Sequence, residues 1–186
     1  REYQQCHWFP NSYPDLKEDT ARILLYPAGI SVDVEEIKRT FSKFMIKDYV
    51  KSVKGSSFPT YFDATITQSE FDFWMQKFYQ YRGSLLSGGI CVKEYLDLKR
   101  VDGQTHEIRV FYLNHEVMQI SGASRYESGS SLPPRALLEK YTKLKSPFYT
   151  VDYAELDDGS WKVIECGDGQ VSGILSEDDI PEFYQK

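Results

Sequence analysis

Cysteine is scarce in this 186-residue chain. Cys6, Cys91 and Cys166 are odd in number, far apart in sequence and without CxxC spacing. That excludes a disulfide scaffold or a zinc cluster and fits reduced thiols in the cytoplasm. The three histidines (His7, His106, His115) are too scattered for a metal site. No run approaches the ~20 apolar residues of a membrane span, and no signal peptide opens the chain, so no membrane partner is expected. Arg1 stands where a methionine would open a complete chain, as expected of a fragment or a processed chain. Positive charge is in deficit: 22 Lys and Arg against 28 Asp and Glu give a net charge of −6. A basic surface for nucleic acid is therefore not the default, although a local basic cleft is still open. There is no GxxxxGK[ST] phosphate loop, no internal repeat and no low-complexity tract.

What is present is an ordinary globular composition, 41% hydrophobic and 27% charged. Fourteen Tyr and eleven Phe favour β-structure. Residues 1–21, punctuated by Pro10, Asn11, Pro14 and Asp15, read as loop. Residues 22–26 read as a short buried strand. Residues 31–44 carry acids early and bases late, with Val34, Ile37, Phe41 and Phe44 at helical spacing. Strands are expected at 45–50 and 61–66, with a polar loop at 51–59 between them. A helix follows from Thr67 or Ser69 to about 82, with Phe71, Trp74, Met75, Phe78 and Tyr79 on one face. Residues 90–98 form a connecting strand. Hairpins follow at 106–113 with 117–123, turning at Asn114-His115, and at 148–156 with 161–166, turning around Asp158-Gly159. A polar loop at 124–134 and a short helix at 135–144 lie between them, and the acidic tail 176–186 reads as a short last helix. The order predicts an α+β protein with two sheets.

Three elements can carry chemistry. Lys47, Lys51 and Lys54 fall within eight residues, on a strand running into a loop with Gly55. Lysines there neutralise phosphate oxygens, with backbone N–H donors adding to them, or they mark a solvated edge strand. Asp152 and Glu165 lie in apolar strands on either side of one hairpin turn. Pairing of 150–154 with 163–165 would let them share a face. Carboxylates in such strands need a cation: Mg²⁺, which takes one or two carboxylates plus phosphate oxygens, or a paired Arg or Lys. Asp168, in the following loop, is a third candidate ligand. Arg109 alternates with Ile108 and Val110. It points either at a transferring phosphoryl group or at Glu107, Asp152 or Glu165 as a structural partner.

The segments MIKDYVKSVKG, GGICVKEYLDL, HEIRVFYL and FYTVDYAELDDGSWKVIECGDGQVSG, in that order, resemble the ATP-grasp superfamily, most closely its R-two-K clade. The resemblance covers about residues 1–175 and implies a fold of two lobes, each an antiparallel sheet with helices, holding ATP between them. It implies a remnant of a preceding domain at 1–30, an N-lobe at 31–92 and a C-lobe at 93–186. Lys47, Lys51 and Lys54 would contact phosphates or substrate. Lys93, Glu94, Tyr95 and Leu96 would form the hinge that reads the adenine, with Glu94 or Asp97 on the ribose. Arg109 would stabilise the transferred phosphoryl group, and Asp152, Glu165 and Asp168 would hold Mg²⁺. One departure stands out: many relatives carry an asparagine two residues after the second acid, where this chain has Gly167, so Asp168 or Gln170 would substitute.

The activity so implied is phosphorylation of a carboxylate by Mg-ATP and its joining to an amine, on an amino acid, a peptide or a protein. The alternative is a nucleotide-binding assembly factor without turnover, docking through its acidic tail (Glu177, Asp178, Asp179, Glu182), which otherwise is a solvated terminus. Nucleotidyl transfer through a lysine is disfavoured, because no glycine follows Lys47-Asp48 where such a motif needs one.

Overall fold

The computed structural model describes residues 4–53, 56–122 and 131–185. Lys54, Gly55 and most of the polar loop 124–134 lie outside them. In chain order the helices are α1 (Gln4–His7), α2 (Phe9–Leu16), α3 (Val34–Thr40), α4 (Gln68–Arg82), α5 (Arg135–Lys140) and α6 (Ile180–Phe183). The strands are β1 (Ile23–Pro27), β2 (Lys43–Asp48), β3 (Phe62–Asp63), β4 (Gly89–Glu94), β5 (Arg100–Val101) and β6 (Gln104–Thr105). They continue with β7 (Glu107–Leu113), β8 (Glu116–Ser121), β9 (Phe148–Glu155) and β10 (Trp161–Asp168). The chain divides into two compact units, Ala21–Tyr95 and a discontinuous one made of Arg1–Thr20 with Leu96–Lys186.

In the 21–95 unit an antiparallel sheet of order β1-β4-β2-β3 carries α3 and α4 on one face. Alternation along β2 sends Phe44 and Ile46 to the helices, where they join Tyr26, Ile37, Phe62, Phe71, Phe78 and Val92 in one core. Asp33 caps α3 by accepting the Glu35 N–H at 2.9 Å. Thr67 and Glu70 cap α4 reciprocally, and Gly83, at φ 48°, ends it. The strand expected at 61–66 shrinks to two residues. Ile66 N–H bonds back to Asp63 C=O, which turns the chain towards α4.

In the other unit β10-β9-β7-β8 form the larger sheet. One face is a layer of tyrosines: Tyr112 stacks on Tyr149 at 5.0 Å, and its hydroxyl meets that of Tyr153 at 2.7 Å. The Asn114-His115 turn has positive φ at both residues (51° and 70°), as a two-residue hairpin of this hand requires. Residues 1–21, expected as loop, instead hold two helices. Pro10 sits in the first turn of α2, where its missing N–H costs nothing. Burial of Phe9, Ser12 and Leu16 offsets the bond lost at Pro14. The acidic tail is not a plain solvated terminus either. Asp179 is buried and accepts from Ser121 Oγ (3.0 Å) and Gly122 N–H (2.7 Å).

Glu155, buried at the end of β9, binds the segment that enters this unit. Its Oε2 accepts from Ser131 Oγ (2.6 Å) and Lys99 Nζ (2.9 Å) and lies 2.7 Å from His106 Nδ1. Burial pushes its carboxyl up, but the bonds from Ser131, Lys99 and His106 outweigh that and hold it below the usual 4.5. On acidification the unfolded chain therefore takes up this proton first. The contribution of Glu155 to stability is full above about pH 4.5 and is lost as pH falls through the lower folded value. Glu155→Gln is expected to lower the melting temperature at pH 7 and to narrow its gap from the parent as pH drops from 5 to 3, in melts followed by circular dichroism.

Candidate functional site

Pairing of β9 with β10 begins at Trp161 opposite Glu155 and runs one-to-one to Val163 opposite Tyr153. A bulge then inserts Ile164, so Glu165 rather than Ile164 faces Asp152. Were Ile164 paired with Asp152 instead, Glu165 would sit opposite Val151 and on the tyrosine face. Residues 19–20 brace the bulge: Val163 N–H donates to Asp19 C=O at 2.8 Å, and Thr20 Oγ1 donates to Val163 C=O at 2.7 Å. On the other side of β9, Arg109 faces Asp152 and Ser121 faces Arg109. Ser121, Arg109, Asp152 and Glu165 thus form a single row across all four strands.

Arg109 and Asp152 are joined side by side, Nε to Oδ1 and Nη2 to Oδ2, both at 2.7 Å. A third donor, Nη1, reaches Gly173 C=O at 2.8 Å. The bond to Asp152 raises Arg109 above its usual value, and Asp152, Glu165 and Glu107 add to this. Burial pushes the Asp152 carboxyl up, Arg109 opposes this, and Glu165 and Glu107 push it further. Three carboxylates are gathered near one guanidinium, and two of them, Asp152 and Glu165, are register partners on one sheet face.

Asp168 is not brought to this pair. It faces Tyr149, one pleat off, and its Oδ1 accepts the Gln170 N–H at 3.0 Å. The residue on the acid-bearing face is Gly167, opposite Thr150. A Cβ there would lie 2.9 Å from Thr150 Oγ1 and 3.1 Å from Ser172 Oγ, which are themselves 2.9 Å apart. Two hydroxyls fill the space where a longer side chain would stand. Among the described residues no cluster of three or more His, Cys, Asp or Glu is arranged to hold a metal.

In the 21–95 unit, Lys47 and Lys93 are both 5% exposed and flank Cys91 on the face opposite the helices. Burial raises the Cys91 thiol to about 11, with Lys47 and Lys93 both pulling it down. Two lysines held this way suit an anionic ligand, as phosphates are. Lys93, expected at the hinge, thus stands with the phosphate candidate Lys47. Lys51 is exposed. Glu94 is engaged by Arg22, Nη2 to Oε1 at 2.6 Å and Nε to Oε2 at 3.1 Å. Tyr95 donates its N–H to Lys43 C=O, and its ring lies 4.9 Å from that of Tyr61, with Lys43 Nζ about 4 Å from both. Leu96 is the first residue of the other unit's second segment. Sequence reasoning missed Asp48, whose place in the core row of β2 beside Phe44 and Ile46 was the available signal. It also missed Thr20 and Thr150, which carry no such signal.

A family model described as ATP-grasp domain, R-two-K clade family 3, matches residues 32–186. The chain belongs to this ATP-grasp family. Its fold is similar to that of D-alanine–D-alanine ligase from Bacillus anthracis solved with ATP (TM-score 0.62, 16% identity, 97% of this chain and 60% of that one). It is also similar to the ATP-grasp ligase PsnB with a minimal precursor (0.60, 11%, 96% and 57%). A third likeness is to a RimK domain ATP-grasp protein from Sphaerobacter thermophilus (0.57, 14%, 90% and 60%). The chain thus spans half to three fifths of the solved chains it matches. No curated protein matches it in sequence. Among the described residues of this ATP-grasp domain, no helix is long and apolar enough to cross a membrane.

The Arg109–Asp152 pair is mostly buried, with side chains 17% and 12% exposed. Asp152→Asn leaves the guanidinium without its anion and is expected to cost about 3 kcal/mol, read from urea unfolding. Arg109→Met with Asp152→Leu is expected to recover part of that loss, because neither member of the pair is then left without its counter-charge.

Proposed function

We propose that this ATP-grasp domain binds Mg-ATP and serves an ATP-dependent ligase that phosphorylates a carboxylate and joins it to an amine. The observation that supports this reading is the Arg109–Asp152–Glu165 row, which sets a guanidinium and two carboxylates side by side on one sheet face. Asp152 and Glu165 are the proposed Mg²⁺ ligands. Thr150 and Ser172 stand next to them, and Asp168 is left out. When bound, Mg²⁺ offsets phosphate charge. Lys47 and Lys93, with Lys51 and Lys54 from the following loop, are the proposed phosphate contacts. The backbone at Glu94, Tyr95 and Leu96 is proposed for the adenine.

In the chemistry proposed, the carboxylate oxygen takes the γ-phosphoryl group as ADP departs. The amine nitrogen then attacks the acyl carbon and loses a proton as phosphate leaves. Arg109 would hold the transferring group by charge, and no side chain becomes a covalent nucleophile. The acceptor class proposed is an amino acid or peptide. That PsnB was solved with precursor peptide and nucleotide supports it. Three free, buried cysteines support a reducing cytoplasmic setting.

Calorimetric titration of Mg-ATP is expected to give binding on the order of micromolar, weakened about tenfold or more by Lys47→Ala. ADP formation is expected to depend on an added carboxylate. Glu165→Gln is expected to abolish it with the fold intact by circular dichroism. Absence of nucleotide binding by the parent would overturn the reading. Tight binding with no turnover on any carboxylate would favour the assembly factor.

A further inference from the structure

Asp48 closes β2 with a side chain that is fully buried. Oδ1 accepts the N–H groups of Val50 (2.7 Å) and Lys51 (2.6 Å), and Oδ2 accepts Arg82 Nε (2.8 Å) and Ser87 N–H (3.3 Å). Arg82, at the end of α4, also donates to Leu85 C=O at 2.9 Å. Backbone bonds tighten the same point: Asp48 N–H to Lys51 C=O and Tyr49 N–H to Ser87 C=O. Lys47 pairs with Ser52 beyond the turn. The Tyr49 ring lies on the backbone at Gly88 and Gly89. A Cβ at Gly88 would stand 2.3 Å from the ring, and Gly88 has φ +72°. One carboxylate thus ties the end of a helix, the start of β4 and the turn after β2 into a single knot. Both Lys47 and Lys51 are rooted in it.

We propose that Asp48 is a positioning residue for the terminal phosphates of ATP, acting through the Asp48–Lys51 turn and its Arg82 anchor. This rests on the Mg-ATP reading above. A carboxylate buried among four donors from three segments does more than end a strand. A turn alone needs only the Oδ1 bonds, as an asparagine supplies. The knot sits at one end of the sheet, where Asp48 faces Ile90, whereas Tyr95 follows the other end, where Phe44 faces Glu94. The four strand steps from Phe44 to Asp48 span about 13 Å. Loosening the knot therefore acts on the triphosphate and spares the nucleoside.

The test compares Mg-ATP with AMP on the parent, Asp48→Ala and Asp48→Asn, each shown to fold by its melt. Amide hydrogen exchange at Val50, Lys51 and Ser87 reports the knot itself. Asp48→Ala is expected to unprotect all three amides and to weaken ATP about tenfold, with AMP within about twofold (tenfold being 1.4 kcal/mol). Asp48→Asn, which keeps an oxygen for Val50 and Lys51, is expected to fall between. Equal weakening of ATP and AMP, or unchanged ATP affinity in a folded Asp48→Ala, overturns the proposal. If Asp48→Ala does not fold, the same comparison on Asp48→Asn decides. A parent that binds AMP and ATP equally overturns the role of Asp48 alone, whereas a parent that binds neither overturns the ATP reading with it.

Discussion

One extra residue in β10 is the constraint on which the candidate site depends. A strand's side chains alternate, so a slip of one position exchanges its two faces. Ile164 supplies that slip after Val163. Before it, the hairpin is set by the turn at Gly159 (φ 82°); after it, Glu165 stands beside Asp152, and Gly167 beside Thr150. The tyrosine layer opposite is kept intact because Cys166 then takes its turn on that side, against Val151. The acidic row and the buried layer are two consequences of a single irregularity.

Buried carboxylates organise the rest. Asp48, Asp152, Glu155 and Asp179 are buried, so each has to be met by donors from the protein. Asp48 and Glu155 are met from several segments, Asp152 by two nitrogens of Arg109, and Asp179 by Ser121 and Gly122. These are the points where segments distant in sequence are joined. The cost of leaving any of them unpaired is what makes the junctions specific. Hydrophobic packing fills the layers between, as in the cluster of Phe44, Phe58, Phe62, Phe71 and Phe78.

Much of this was legible from residues alone. Alternation and turn chemistry placed the hairpins and α4, and charge order placed α3. The two acids that share a face were visible as carboxylates in apolar strands. Asp168 was misplaced because sequence spacing does not reveal a pleat, and the pleat depends on a bulge that no turn residue announces. The N-terminal helices were hidden by Pro10 and Pro14, which signal a break locally while tertiary burial outweighs them. Lys93 was assigned to a backbone role because its strand neighbours were unknown; only the register with Met45 sets its ammonium on the same face as that of Lys47. The partners of Asp48 come from positions up to 39 residues away, a distance over which periodicity carries no information.

Residues 19 and 20 brace the bulge in β10, and the free thiols of Cys6 in α1 and Cys166 in the same strand are hydrogen-bonded. The 21–95 unit is therefore an insertion in a body whose first strip of chain comes before it. The family match begins at residue 32, so a trimmed chain drawn to that border would discard β1 along with the strip that steadies the strand bearing Glu165. Here a boundary inferred from kinship and a boundary set by folding do not coincide, and the second governs where the chain can be cut.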